Sequence, residues 1–261
     1  MLIKKLGIDI VDGCQLRCIG CPNSTLKKKV QFMEEDILCK CLSNIDVKVD
    51  ILRLYNFGEP LLHPKFVNIT HIINDWGKAK TVEVSTNGQF GQVESELFRA
   101  EIDTLIVSCD GEGTEEDYER IRNGAKWDKL MSFLPRALSV TPKAKHIVRG
   151  IIQTKEGKAR WKSVLRNEWK LECREWHPFP RSVENPSGKI ASKSKGTCRY
   201  IRKDNLYVNY KGDVGPCCVY PDAINIGSLL SQKASKLVKR KRGIKKEMDR
   251  KREGVCLECA F

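Results

Sequence analysis

Apolar and polar residues alternate along this chain in two rhythms. Short runs rich in β-branched and aliphatic residues, Lys5–Val11, Ile51–Tyr55, Thr81–Ser85, Thr104–Ser108, His146–Ile152 and Glu172–Trp176, read as strands. Longer segments with spaced apolar residues, Met33–Leu42, Lys65–Trp76, Val93–Arg99, Thr114–Ile121 and Asp128–Ala137, read as helices between them. Repeated strand–helix units predict an α/β fold with a parallel sheet and helices outside it. About six units fit, fewer than a closed eight-unit barrel needs. The expectation is a partial (β/α)6 TIM-like barrel.

The rhythm breaks near Pro178 to Lys195, where Pro, Ser, Gly and Lys crowd together as in a linker. We therefore expect a core domain over residues 1–180 and a small cysteine-rich domain over residues 181–261. In the latter, Asn205–Tyr210 and Gly215–Tyr220 flank Lys211-Gly212-Asp213, a hairpin signal in which glycine is available for a positive φ. There is no internal repeat or low-complexity tract.

Composition narrows the class. The 261 residues are 41% hydrophobic and 31% charged, and no apolar run approaches the roughly 20 residues that span a bilayer. No membrane association is expected. The start, MLIKKLGIDIVDG, is interrupted by Asp9 and Asp12 and lacks the apolar region of a secretory signal. A cytoplasmic location is therefore expected, and a reducing compartment turns 12 cysteines towards metal ligation or catalysis and away from disulfides. The formal charge is +14, of which Lys233–Arg252 carries +9. That run reads as a solvated helix face or as a docking surface for a polyanion.

The first cysteine group, Cys14-Gln-Leu-Arg-Cys18-Ile-Gly-Cys21-Pro, follows the first strand on a loop. Three thiolates at this spacing suit three irons of a [4Fe–4S] cube and leave the fourth iron open, whereas a structural zinc site takes four ligands. A zinc ion borrowing a distant fourth ligand is the alternative. Polar segments then close successive strands: Tyr55-Asn-Phe-Gly58-Glu59-Pro60, Ser85-Thr86-Asn87-Gly88 and Ser108-Cys-Asp110-Gly111. Singly these are ordinary turn residues. In this order they resemble the radical S-adenosylmethionine (SAM) superfamily.

That resemblance implies that Cys14, Cys18 and Cys21 hold the reactive cluster, whose open iron takes SAM. It implies that Gly58, Glu59 and Pro60 receive the methionyl ammonium, that Ser85, Thr86 and Asn87 form a further SAM-binding segment, and that Ser108 and Asp110 meet the ribose. Arg122, in Glu119-Arg-Ile-Arg-Asn-Gly124, sits where related enzymes often place an arginine on the SAM carboxylate. Gly20 departs from the family, many of whose members carry an aromatic residue there; Trp127 or Phe57 is the expected substitute beside the adenine.

Near the C-terminus Cys198, Cys217, Cys218 and the pair Cys256-Leu-Glu-Cys259 form a second group. Its layout resembles the twitch domain, a shortened relative of the SPASM domain, and implies one auxiliary [4Fe–4S] cluster on Cys198, Cys217, Cys256 and Cys259, with Cys218 as the alternative to Cys217. A zinc ribbon on the same residues is the competing reading. Cys39, Cys41, Cys109 and Cys173 read as small core residues. The four histidines lack paired spacing and receive no catalytic role; His63, close behind Pro60, is the least bland.

A short barrel with one twitch cluster is similar in layout to the dehydrogenases that oxidise 2-deoxy-scyllo-inosamine. By that analogy SAM, cleaved to methionine and a 5′-deoxyadenosyl radical, starts a two-electron oxidation assisted by the auxiliary cluster, with flavodoxin or ferredoxin as reducing partner. Modification of a peptide, or of a nucleoside or nucleic acid base, are the other radical readings. A non-catalytic zinc-binding nucleic-acid protein is the reading from another class.

Overall fold

The computed structural model describes residues 1–26, 29–90, 99–175, 198–219 and 224–250. Its centre is a nine-stranded sheet. Strands β1 (Leu2–Ile8), β4 (Lys48–Arg53), β5 (Ala79–Thr86), β6 (Thr104–Ser108), β7 (Lys145–Ile151) and β8 (Lys170–Arg174) lie side by side, all parallel. Two short strands, β2 (Val11–Asp12) and β3 (Gln31–Phe32), pair separately beside the first cysteine loop. All six strands expected from the sequence are present, Thr104–Ser108 with the expected bounds and the other five shifted by one to three residues at their ends. Trp176 and most of Val93–Arg99 lie outside the described residues.

Among the described residues five helices lie in the crossovers, α2 (Glu35–Ser43), α3 (Phe66–Trp76), α4 (Glu115–Ile121), α5 (Trp127–Val140) and α6 (Lys155–Val164), after a short α1 (Pro22–Leu26). Local chemistry sets their ends. The Thr114 hydroxyl accepts from Asp117 N and caps α4, whose first turn holds Glu115, Glu116 and Asp117 against the helix dipole. Gly77, at φ +66°, ends α3 in the left-handed conformation open to glycine. Helix α6 escapes the apolar pattern because it buries only Gly157 and Trp161.

The two faces of the sheet differ. Leu52, Leu54, Val82, Val84, Leu105, Val107 and Val148 point to one side and form a continuous core with Phe66, Ile69 and Ile73 of α3 and Leu130, Phe133 and Leu134 of α5. Residues of the opposite parity, among them Arg53, Glu83, Ser85, Ser108, Arg149 and Glu172, share the other face, and the pairs Arg53–Glu83, Ser108–Arg149 and Arg149–Glu172 are in register. That face is polar.

The sheet also continues past the expected domain boundary. Strand β9 (Asn205–Val208) pairs in parallel with β1, and β10 (Asp213–Gly215) and β11 (Gly227–Ser228) follow antiparallel. Leu206 and Val208 of β9 are buried in the common core, so the open edge of β1 is covered by the C-terminal segment. The expected hairpin turn is present: Gly212 has φ +85°, and Asn209 Oδ1 accepts from Lys211 N and Asp213 N at 2.9 and 3.0 Å. Its second strand is Asp213–Gly215, which shares only Gly215 with the expected Gly215–Tyr220 because the turn closes earlier, at Asn209–Gly212; Tyr220 and the linker lie outside the described residues. Helices α7 (Arg199–Arg202) and α8 (Ala234–Arg250) complete the described chain. No helix among the described residues is long and apolar enough to cross a membrane.

Candidate functional site

The first cysteine loop leaves β2 and is stitched to the end of α4. Arg17 N donates to Asn123 O at 2.9 Å and Ile19 N to Ile121 O at 2.8 Å, which places the loop beside Arg122. Within it the Ser24 hydroxyl donates to Cys18 O at 2.6 Å, and Cys21 N to Cys18 O at 3.2 Å. Cys14 Sγ accepts from Leu16 N at 3.4 Å and from Asn87 Nδ2 at 3.5 Å, so the thiol loop touches the segment that ends β5. All three thiols are partly exposed.

Their electrostatics are those of a site built for charge. Burial pushes the Cys14 thiol up to about 11 and the Cys18 thiol up to about 12, and raises Cys21 as well. The Arg122 guanidinium opposes that rise at all three sulfurs. It is 8% exposed, pairs with Asp110 at 2.5 Å, and keeps a buried Nε without a hydrogen-bond partner among the described residues. Among the described residues no three His, Cys, Asp or Glu side chains converge closely enough to hold one metal ion. A cube takes its thiolates on three separate irons, which stand farther apart, and it carries negative charge that a buried cation stabilises. The donor set therefore fits a [4Fe–4S] cluster.

Beside the thiols, Glu59 is buried at the head of a single 3₁₀ turn, Pro60–Leu62. Its carboxylate accepts from Leu61 N at 3.1 Å and from Asn87 N at 2.7 Å, tying the β4 and β5 loops together. Burial raises its pKa to about 7. Glu59 N donates to Gly13 O at 3.0 Å, and Gly58 passes so close that a Cβ would stand 1.7 Å from Val11 O. Only glycine fits there. Thr86 and Asn87 are buried, and the Thr86 hydroxyl accepts from Gly88 N at 3.2 Å. Ser85 and Ser108 face each other across neighbouring strands, their hydroxyls 3.4 Å apart. Asp110 uses one oxygen for Arg122 and the other for Ile151 N at 2.8 Å.

The structure thus brings Cys14, Cys18, Cys21, Gly58, Glu59, Pro60, Ser85, Thr86, Asn87, Ser108, Asp110 and Arg122 to the carboxyl ends of parallel strands, where α/β sheets bind ligands. Trp127 packs its ring against Tyr118 and Trp161, at centroid distances of 5.6 and 5.3 Å. Phe57 is partly buried in the loop that carries Gly58. His63 is structural: Nδ1 accepts from Lys65 N and Nε2 meets Met33 O at 2.9 Å.

Three features are missing from the sequence reading. Asp9, buried just past β1, accepts from the Tyr207 hydroxyl of β9 and from the amides of Phe57 and Gly58; burial raises its pKa to about 7. On the polar sheet face, Tyr55 donates to Glu83, Arg53 pairs with Glu83 at 2.8 Å, and Arg149 donates to Tyr55 and, at 3.0 Å, to Glu172. Lys241 is buried in the middle of α8, whereas both readings of the charge run, a solvated face and a polyanion surface, place its lysines outside.

In the second group Cys198 is the N-cap residue of α7, and Cys217 and Cys218 follow β10, all partly exposed. Both Cys217 and Cys218 act on Lys241 together with Cys198, so the two neighbours share one locality. Cys218 O accepts from Asn56 Nδ2 at 3.0 Å, which joins this locality to the Glu59 loop. Cys256 and Cys259 lie outside the described residues. Of the remaining cysteines, Cys41 and Cys109 are core residues as expected; Cys39 and Cys173 are exposed, because they occupy the outer side of α2 and the edge strand β8.

Residues 198–260 match the SPASM family, an iron-sulfur cluster-binding domain. Among solved structures, BtrN in complex with AdoMet and 2-DOIA aligns at 15% identity over 95% of this chain and 88% of its own, with a TM-score of 0.63. The anSMEcpe structure with bound AdoMet aligns at 16% identity over 100% and 89%, TM-score 0.64. SuiB of Streptococcus suis bound to precursor peptide SuiA aligns at 12% identity over 98% and 69%, TM-score 0.69. No curated protein sequence matches the chain. Residues 198–260 thus match the SPASM iron-sulfur cluster-binding family, and the chain as a whole shares its fold with BtrN and anSMEcpe, both solved with AdoMet bound.

Proposed function

We propose that this protein is a radical SAM oxidase of a polar small molecule, with the reactive cluster on Cys14, Cys18 and Cys21 and one auxiliary cluster on Cys198, Cys217 or Cys218, Cys256 and Cys259. The observation that carries this reading is the junction of Glu59, Asn87 and Cys14: a buried carboxylate, a strand-end amide and a cluster thiol joined by hydrogen bonds. The chemistry that SAM on such a cluster supplies is one-electron cleavage to methionine and a 5′-deoxyadenosyl radical.

This chain's own residues prepare that chemistry. Glu59 offers a buried carboxylate to the methionyl ammonium. Ser85 and Ser108 offer hydroxyls to the ribose, and Arg122, held by Asp110, offers positive charge to the SAM carboxylate. Below them the polar face with Arg53, Tyr55, Glu83, Arg149 and Glu172 offers donors and acceptors to a hydroxyl-rich substrate. A flavodoxin or ferredoxin is the proposed electron donor. A precursor peptide is the second reading, favoured by the likeness to SuiB.

The test is to incubate reconstituted protein with SAM, dithionite and deuterated candidates, in turn an aminocyclitol, a peptide and an oligoribonucleotide. Deuterium passing from the aminocyclitol carbon into 5′-deoxyadenosine, with a ketone formed, supports the reading. Transfer only from the peptide or the oligonucleotide overturns the choice of substrate class.

A further inference from the structure

Lys241 stands alone among the lysines of α8. Its neighbours Lys236, Lys239, Arg240 and Lys246 are exposed, whereas Lys241 is 1% exposed and lies on the opposite side of the helix, in line with Ala234, Leu237 and Val238. Its Nζ donates to Tyr200 O at 3.1 Å and to Asn205 O at 2.6 Å, which fixes it between α7 and the start of β9. Those carbonyls satisfy two of its three protons but leave its charge uncompensated. A buried ammonium needs an anion.

Asp204, a carboxylate that favours the charged form of Lys241, is already committed. Asp204 makes a two-pronged pair with Arg242, at 3.0 and 2.5 Å, and Lys241 forms no ion pair among the described residues. Its partner Tyr200 stands two residues from Cys198, its partner Asn205 opens β9, and Cys217 and Cys218 follow β10, which pairs with β9; these three cysteines also favour its charged form. As neutral thiols they would contribute little. As thiolates on a cluster they bring net negative charge into the same low-dielectric locality.

Resting on the auxiliary cluster proposed above, we infer that Lys241 is the fixed counter-cation of that cluster and raises its reduction potential. Adding one electron to the cluster makes it more negative, so a cation held nearby stabilises the reduced form over the oxidised one. The electron concerned is the second one leaving the substrate in the proposed oxidation: the substrate radical loses it with its hydroxyl proton, the cluster gains the electron and water takes the proton. Lys241 is a positioning residue in this step, since it touches neither substrate nor SAM.

The test is an EPR-monitored redox titration of full-length protein carrying Cys14/Cys18/Cys21→Ala, so that only the auxiliary site can hold iron. Lys241→Gln removes the charge and keeps a donor, Lys241→Met removes both, and Lys241→Arg keeps the charge. Iron and sulfide content and a thermal melt accompany each variant. The expected result is a lower midpoint in both Gln and Met proteins, with the reduced-to-oxidised ratio at fixed potential falling by about tenfold, which is about 59 mV for one electron, while Arg restores it. An unchanged midpoint in folded, iron-loaded Gln protein overturns the inference, as does a shift in Met protein alone, which would assign the effect to the hydrogen bonds. Absence of iron from the parent triple variant would instead count against the auxiliary cluster itself.

Discussion

The Tyr207 hydroxyl donates to the Asp9 carboxylate, and the same carboxylate accepts from the amides of Phe57 and Gly58. One buried side chain at the end of β1 thereby holds the loop that positions Glu59 against a strand contributed by the C-terminal segment. Tyr207→Phe removes one donor from a buried acceptor, a loss worth about 1–3 kcal/mol. Chemical denaturation should show that loss, and calorimetry should show weaker SAM binding although Tyr207 touches none of the proposed SAM residues.

Glu59 and Asp9 make the metal-free protein sensitive to pH in a defined direction. Both carboxyls are raised by burial, from 4.5 and 3.8 to about 7. Between those values the unfolded chain has released protons that the folded protein still holds. Stability is therefore highest at the acid end of this window, falls as pH rises towards 7, and levels off above it. In Glu59→Gln the slope of the denaturation midpoint against pH should become shallower over the same range.

SAM binding should show the complementary dependence. Only ionised Glu59 attracts an ammonium, so binding below about pH 7 must expel a proton. Affinity for SAM should rise as pH is raised to 7 and then flatten, and Glu59→Gln should bind weakly with no such rise. Isothermal titration in two buffers of different ionisation enthalpy reads the released proton directly.

Breaking the buried pair of Arg122 and Asp110 leaves a charge without its partner. Asp110→Asn should cost about 3–5 kcal/mol and lower the thermal midpoint. By contrast, Lys236→Glu/Lys239→Glu/Arg240→Glu, on the exposed side of α8, should leave iron content and SAM cleavage unchanged if that face is only solvated. Salt-sensitive loss of RNA retention in that variant would point to the polyanion surface instead.

Much of this was legible in the residues themselves. The alternation of apolar runs is a local signal, so the six parallel strands could be located from it, and Gly212 marked its turn because a positive φ favours glycine. The segments around Cys14, Glu59, Asn87 and Asp110 could be recognised because each is short and closes a strand. What escaped was non-local. That Asp9 is buried depends on Tyr207, 198 residues away in sequence. That β9 extends the sheet depends on the open edge of β1, which no pattern within either strand reveals. Lys241 was hidden in a run of like charges because only packing separates it from its exposed neighbours.

In the proposed function the first cysteine loop holds a redox-active [4Fe–4S] cluster that cleaves SAM. The most direct measurement is iron, sulfide and EPR analysis after anaerobic reconstitution, with 5′-deoxyadenosine formation under dithionite, in wild type and in Cys14/Cys18/Cys21→Ala. We predict about eight irons per chain falling to about four, and 5′-deoxyadenosine in wild type only. Zinc without iron, or SAM cleavage that survives in the triple variant, would contradict the account.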